Sequence, residues 1–419
     1  MKTDPLKIAM LSIHSDPIGE LGTKDTGGMS VYIRELARQL GKRGHYIDIY
    51  TRMLKSENRS ITRLYENVRL IHLGIPNGGT LSKLALYRYL SKFFQALEDF
   101  RRSENQSYDL IHSHYWLSGR LGTRAQKLWD LPHVTTFHTL GEVKNQTGID
   151  AHEPWFRVVA EKDIVQKSHR ILALTNRERE SLVRLYDAPP QKIGVVPCGV
   201  NLDLFYPQGK AAARHKLGLD SDDIILLYVG RFESIKGLNV LLKAMTYLDA
   251  NQRLRLVVVG GDDNSTPEFR TLAQATRDWG IGEKVNFIGR VDQQNLPTYY
   301  GAADVLVLPS YSESFGMVGL EALACGRPVV TTPVGAVDRL VRRTQAGCVV
   351  PDHSAHSLAD GILSIIRDPD IPSAERIRQS IFEYSWSEVA SAVVAEYAEL
   401  IGPQCYGDDR QIPVEASCA

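Results

Sequence analysis

Two short stretches in the latter half carry side chains whose spacing could do chemistry. The first runs from Pro309 to Glu321 and holds Glu313 and Glu321. An apolar run, Val305 to Leu308, precedes it and predicts a buried parallel strand. A helical pattern follows, with Val318, Leu320, Leu323 and Ala324 apolar, and stops at Gly326-Arg327-Pro328. The stretch therefore reads as a strand, a polar turn and a helix N-terminus. Free backbone N–H groups near Ser314, Phe315, Gly316 and Met317 would form an anion site and donate to sugar hydroxyls. Eight residues separate the carboxylates, roughly 12 Å along a helix axis. So spaced, they cannot share one proton or one metal, but they can grip two ends of one elongated ligand. The plainer alternatives are Glu313 as a helix cap and Glu321 as a solvated helix residue. Position at the C-terminal end of a parallel strand, where open α/β sheets bind ligands, favours the ligand reading.

The second stretch is Gly230-Arg231-Phe232-Glu233-Ser234-Ile235-Lys236-Gly237, between a strand at Ile224–Val229 and a helix starting near Leu238. Its two cations, Arg231 and Lys236, suit a diphosphate with several acceptor oxygens. Fixed cations also stabilise the charge that builds on a leaving phosphate more than they stabilise the ground state. Near the start of the chain, Gly27-Gly28 opens a helix whose apolar residues include Val31, Ile33, Leu36, Ala37 and Leu40. Glycines there let backbone approach a phosphate. The pattern is not G-x-G-x-x-G, so no nicotinamide site is expected. Two further strand-ending blocks, Ile111–Gly119 and Thr135–Asn145, should turn Tyr115, His138 and Thr139 towards a cleft. Their histidines read as buried hydrogen-bonding groups in preference to zinc ligands. The pairs Asp222-Asp223 and Asp262-Asp263 sit in turn-rich loops, where a metal is not favoured.

The elements that must position these residues alternate strand and helix throughout, which predicts parallel sheets in an α/β protein. In the first half, strands are expected at Ile8–Ile13, Ile47–Tyr50, Leu70–Leu73, Leu110–Ser113, His133–Phe137, Ile171–Leu174 and Ile193–Val196. Helices are expected between them, near Met29–Gly41, Leu81–Phe100, Leu117–Trp129, Pro154–Lys167 and Arg177–Tyr186. A turn-rich crossover follows at Pro197–Asp203, and a second alternation starts at Ile224. The expectation is two doubly wound, Rossmann-like domains facing across a cleft, one over 1–198 and the other over 199–385. A last helix, 386–401, precedes a polar, mobile tail, 402–419.

Composition narrows the classes. Among 419 residues, 49 Lys+Arg balance 49 Asp+Glu, against the basic field that nucleic-acid binding needs. Five scattered cysteines make no disulfide framework and suit a reducing cytoplasm. The chain opens on a strand pattern, not a signal peptide, and no run of 18 apolar residues exists.

The Pro309–Glu321 block resembles the E-x7-E signature of retaining glycosyltransferases of family four, which have the GT-B fold, and the resemblance extends from Lys7 to about Leu400. It implies transfer of a sugar from a nucleoside-diphosphate donor without a metal. Arg231 and Lys236 would contact the donor diphosphate, Glu313 the sugar and Glu321 the ribose. Val291 would meet the base through its backbone, and His138 would line the sugar pocket. By likeness, helix 386–401 would cross back onto the first domain. The Ile111–Gly119 and Thr135–Asn145 blocks are similar to the subgroup of mycothiol-pathway D-inositol-3-phosphate glycosyltransferases, with bacterial sucrose-phosphate synthases as relatives. That likeness implies a small phosphorylated acceptor, its phosphate held by Lys83, Tyr115, Thr139 and Arg157, with His14 and Asp25 near its hydroxyls. Ser30 stands where these relatives carry Asn, which leaves the acceptor polyol open; a backbone contact at Val291 leaves the base of the expected UDP donor open, and a homodimer is open as well. A membrane-directed transferase is the rival, because 83–102 mixes Lys83, Arg88, Lys92, Arg101 and Arg102 with Tyr87, Tyr89, Phe93 and Phe94.

Overall fold

A computed structural model describes residues 4–23, 26–53, 60–74, 81–149, 152–248, 253–261 and 266–402. Asp25, the Asp262-Asp263 pair and the tail beyond Gly402 lie outside the described residues.

The first domain is built on strands β1 Lys7–Leu11, β2 Tyr46–Arg52, β3 Ser60–Tyr65, β4 Val68–Leu73, β5 Leu110–His114, β6 His133–Thr136, β7 Arg170–Ala173 and β8 Ile193–Val195. They form an eight-stranded sheet in the order β3-β4-β2-β1-β5-β6-β7-β8. The pairings from β4 across to β8 are parallel, and β3 alone runs antiparallel, on β4. The sequence reading missed β3, because an edge strand covered on one side lacks the apolar run of a buried one. The second domain holds β9 Ile224–Val229, β10 Leu254–Val259, β11 Val285–Gly289, β12 Val305–Leu308, β13 Val329–Thr331 and β14 Gly347–Val349. This wholly parallel sheet is ordered β11-β10-β9-β12-β13-β14. Two α/β domains of this kind make the GT-B architecture.

In both sheets the strand order reverses beside the strand that starts the domain. β1 lies between β2 and β5, and β9 lies between β10 and β12. Such switch points leave a crevice at the strands' C-terminal ends, where α/β proteins bind ligands. The expected helix over 81–100 is in fact two, Lys83–Tyr87 and Leu90–Ser103, with a break at Arg88–Tyr89. The Trp386–Ile401 helix lies against the first domain: the Tyr397 hydroxyl is 2.7 Å from His112 Nδ1, and Arg170 Nη2 meets Glu399 at 3.0 Å.

Candidate active site

At the second sheet's switch point the two chemistry-bearing loops touch. Gly237 has φ +68°, and a Cβ there would stand 2.1 Å from the Pro309 carbonyl oxygen. Only glycine permits that approach. The Tyr311 amide donates to the Ile235 carbonyl at 2.9 Å. Locked in this way, Lys236 Nζ sits 2.8 Å from Glu313 Oε1, which also accepts from Ser310 Oγ at 2.8 Å. Glu313 is thus an ion-pair partner, and no side chain caps the Met317–Ala324 helix. That helix starts on Gly316, φ +94°, where a Cβ would strike Val337 Cγ2 at 2.3 Å. The helical spacing assumed between the two glutamates therefore holds only from Met317 onward. Phe315 is buried, and a helix start without a side-chain cap leaves first-turn N–H groups able to serve an anion. Arg231 pairs with Glu233 at 2.6 Å, and its carbonyl accepts from the Tyr228 hydroxyl at 2.8 Å.

Glu321 is not a solvated helix residue. Its carboxyl is buried and accepts from the Tyr300 hydroxyl at 2.8 Å. Burial raises its pKa to about 7, against the lowering pull of hydrogen bonds from Tyr300 and Gln293. Just beyond lies a cavity of about 990 Å³ between the domains. Arg290, Val291 and Gln293 line it from one side, Glu20 and Arg34 from the other.

Across the cleft, His14, Tyr115 and His138 follow β1, β5 and β6. Tyr115 (φ +74°) and His138 (φ +61°) adopt the left-handed region, which costs bulky residues energy and clusters at functional sites. The His14 and Tyr115 rings meet tilted at 36°, with centroids 4.2 Å apart. Burial drives the His14 pKa well down, and Lys83, Arg52, His138 and Arg157 push it further. The charges of three separate segments therefore act on this one ring. His112 and His138 are held near about 3 by burial, and His114 well below its usual range. These rings are neutral: His114 Nδ1 lies 3.0 Å from His138 Nε2, while His112 bonds the Tyr397 and Thr136 hydroxyls.

The structure brings together, on this side, His14, Lys83, Tyr115, His138, Thr139 and Arg157. Arg157 is largely committed within its own domain. Its Nε donates to Glu161 at 2.8 Å, Nη1 pairs with Glu153 at 2.9 Å, and Nη2 donates to the Thr139 carbonyl and hydroxyl at 3.0 Å. It fixes Thr139 at least as much as it offers charge. Ser30 is fully buried, with its hydroxyl 2.6 Å from Ser15 Oγ. The glycine turn meets the other domain: a Cβ on Gly28 would lie 3.3 Å from Met317 Sδ, while Gly27 has open space. The two sides join where the Ser314 hydroxyl donates to the His138 carbonyl. Asp222 and Asp223 are taken up by arginines, Asp223 meeting Arg253 at 3.0 Å.

Sequence reasoning missed Arg52, Ser310, Tyr300, Gln293 and Arg34. Arg52 closes β2 at the ligand-facing sheet edge, so its position was a usable signal. It is buried and donates to the Leu81 carbonyl at 2.9 Å, two residues before Lys83. The others lie on helices or turns that no local pattern marks.

Two family models match. "Glycosyltransferase Family 4" covers residues 26–204 and "Glycosyl transferases group 1" covers 209–383. The chain is 38% identical to D-inositol 3-phosphate glycosyltransferase 2 of Catenulispora acidiphila, over 96% of each chain. It is 37% identical to D-inositol 3-phosphate glycosyltransferase of Kineococcus radiotolerans, over 94% of this chain and 95% of that one. Among solved structures, sucrose-phosphate synthase from Thermosynechococcus elongatus superposes with a TM-score of 0.87 at 32% identity, over 94% of this chain and 99% of that one. The fold and the facing loops define a glycosyltransferase. The chain belongs to the family-four glycosyltransferases of GT-B architecture and is a transferase enzyme.

Proposed function

We propose that this enzyme moves a sugar from a nucleoside-diphosphate sugar, UDP-linked by family likeness, to a small phosphorylated polyol or sugar, with retention at the anomeric carbon and without a metal. The observation that carries the reading is the pairing of two charged clusters at two switch points. Lys236, Arg231 and the helix N-terminus after Gly316 make a diphosphate grip on one side. Lys83 and Arg52 beside His14 and Tyr115 make an anion pocket on the other. The relatives' names, D-inositol 3-phosphate glycosyltransferase and sucrose-phosphate synthase, support a phosphorylated sugar-like acceptor.

Glu313 holds a sugar hydroxyl while paired with Lys236, and Glu321 accepts from the ribose. The bond from the anomeric carbon to the diphosphate breaks, and its electron pair stays on the phosphate oxygen. Arg231 and Lys236 stabilise that charge. The acceptor hydroxyl bonds the anomeric carbon from the same face, and the departing phosphate oxygen takes its proton. The His138 carbonyl, already the acceptor for Ser314, borders the sugar.

The membrane-directed rival loses its insertion face: Phe93, Phe94 and Phe100 are buried in the first domain's core. Arg124 lies 4.1 Å over the Phe94 ring. No described helix is long and apolar enough to cross a membrane. The test is a matrix of UDP-, GDP- and ADP-sugars against inositol phosphates, fructose 6-phosphate and their unphosphorylated forms, read by product formation. Transfer to a phosphorylated acceptor supports the reading. Transfer only to unphosphorylated or lipid acceptors overturns it.

A further inference from the structure

We infer that Arg34 and Gln293 are positioning residues that tie the ribose carboxylate Glu321 to the first domain, so that the nucleoside end of the donor is bound by both domains together. The inference rests on the reading of Glu321 as the ribose ligand. Gln293 stands between two groups. Its side chain acts on the buried Glu321 carboxyl by lowering its pKa against the effect of burial, and its Oε1 accepts from Arg34 Nη2 of the first domain. Tyr300 holds the second approach to Glu321. The chain of contacts therefore runs from the Gly28–Lys42 helix through Gln293 to Glu321. A second contact crosses the same gap: Arg290 Nη1 lies 3.3 Å from Glu20 Oε1. Both bridges land on the short segment 290–293 that includes Val291.

The helix that carries Arg34 is the one that begins at Gly28, against Met317 of the donor loop. One rigid element thus touches the donor half near the sugar and near the ribose. An amide suits the middle position, because its carbonyl accepts from the guanidinium and leaves its NH₂ to serve a carboxylate. A charged hydrogen bond at one end is felt at the other. Half-burial of Arg34, with Glu35 3.7 Å away as an alternative partner, means that release of Gln293 leaves the guanidinium satisfied. The link can therefore open without stranding a charge.

The test titrates the full-length enzyme calorimetrically with UDP, GDP, ADP and inorganic pyrophosphate. Arg34→Ala and Gln293→Ala are each expected to weaken the nucleoside diphosphate by about tenfold. The double variant should be no weaker than Gln293→Ala, and pyrophosphate affinity should not move. Arg34→Lys should restore part of the loss, and Arg34→Gln serves for comparison if Arg34→Ala misfolds. Unchanged nucleoside-diphosphate affinity in the Arg34 variants, strictly additive losses, or an equal loss for pyrophosphate would overturn the inference and leave the donor reading intact. If the wild type binds pyrophosphate but no nucleoside diphosphate, the ribose assignment fails, and the inference with it.

Discussion

The two sides of this cleft, a donor grip and an acceptor pocket in the proposed function, are made differently. The donor grip comes from two adjacent strand-to-helix loops, after β9 and β12, locked by Gly237 against Pro309. Its charges are partly accessible and already paired, Lys236 with Glu313. The acceptor pocket draws on four distant segments, at His14, Arg52, Lys83 and Arg157, and surrounds neutral, buried histidines. A local grip can be preorganised by one turn. A pocket gathered from remote segments depends on the packing of a whole domain, and shows it in left-handed backbone at Tyr115 and His138.

Several experiments would break or sharpen this contrast. The largest effect belongs to the donor grip. Lys236→Ala, and separately Arg231→Ala, should lower kcat by about 10² to 10³, the range for removing one preorganised charge stabiliser. Steady-state rates at saturating acceptor check this, and a change confined to acceptor KM would reverse the assignment. Next, Lys83→Ala should raise KM for a phosphorylated acceptor about 10- to 100-fold, and Arg52→Met should do so less steeply. Both should leave an unphosphorylated analogue unchanged. Equal losses for both acceptors would remove the anion pocket.

A third effect concerns stability. His14, His112, His114 and His138 are held neutral in the fold but protonate when unfolded. The unfolded state then binds more protons as pH falls below about 6.5, so the first domain should lose stability between about pH 6.5 and 3. Glu321 acts in the opposite sense. With its pKa raised to about 7 it favours the folded second domain at lower pH, and that contribution fades as pH rises from about 4.5 to 7. Hydrogen exchange resolved by domain at pH 7 and pH 5 should show the first domain loosening first. The smallest effect is on nucleotide affinity. Relative to pyrophosphate, it should improve about threefold or more from pH 6 to 8 as Glu321 ionises, and Glu321→Gln should flatten that dependence.

The same contrast explains what could be read from the chain alone. The donor loops were legible because strand, loop and helix follow one another and carry their charges in one stretch. The buried strands Val305–Leu308 and Ile224–Val229 coincide with the observed ones because apolar runs mark them unambiguously. β3 escaped because it is an edge. Glu321 was placed correctly on its helix, but its burial against Tyr300 depends on a neighbouring helix that no spacing announces. The Arg34–Gln293 bridge joins segments far apart in sequence, where one chain gives no pairing signal, whereas Arg52 was marked by its place at the end of β2. Arg157 was legible as a cation, but not as one engaged by Glu153 and Glu161.

The central claim is a division of labour across the cleft, and crossed titrations test it most directly. Wild type, Lys236→Ala and Lys83→Ala would each be titrated by calorimetry with a nucleoside diphosphate and with the phosphorylated acceptor. The account predicts that Lys236→Ala loses only the nucleotide and Lys83→Ala loses only the acceptor. Loss of acceptor binding in Lys236→Ala with nucleotide binding intact, or the converse in Lys83→Ala, would contradict it.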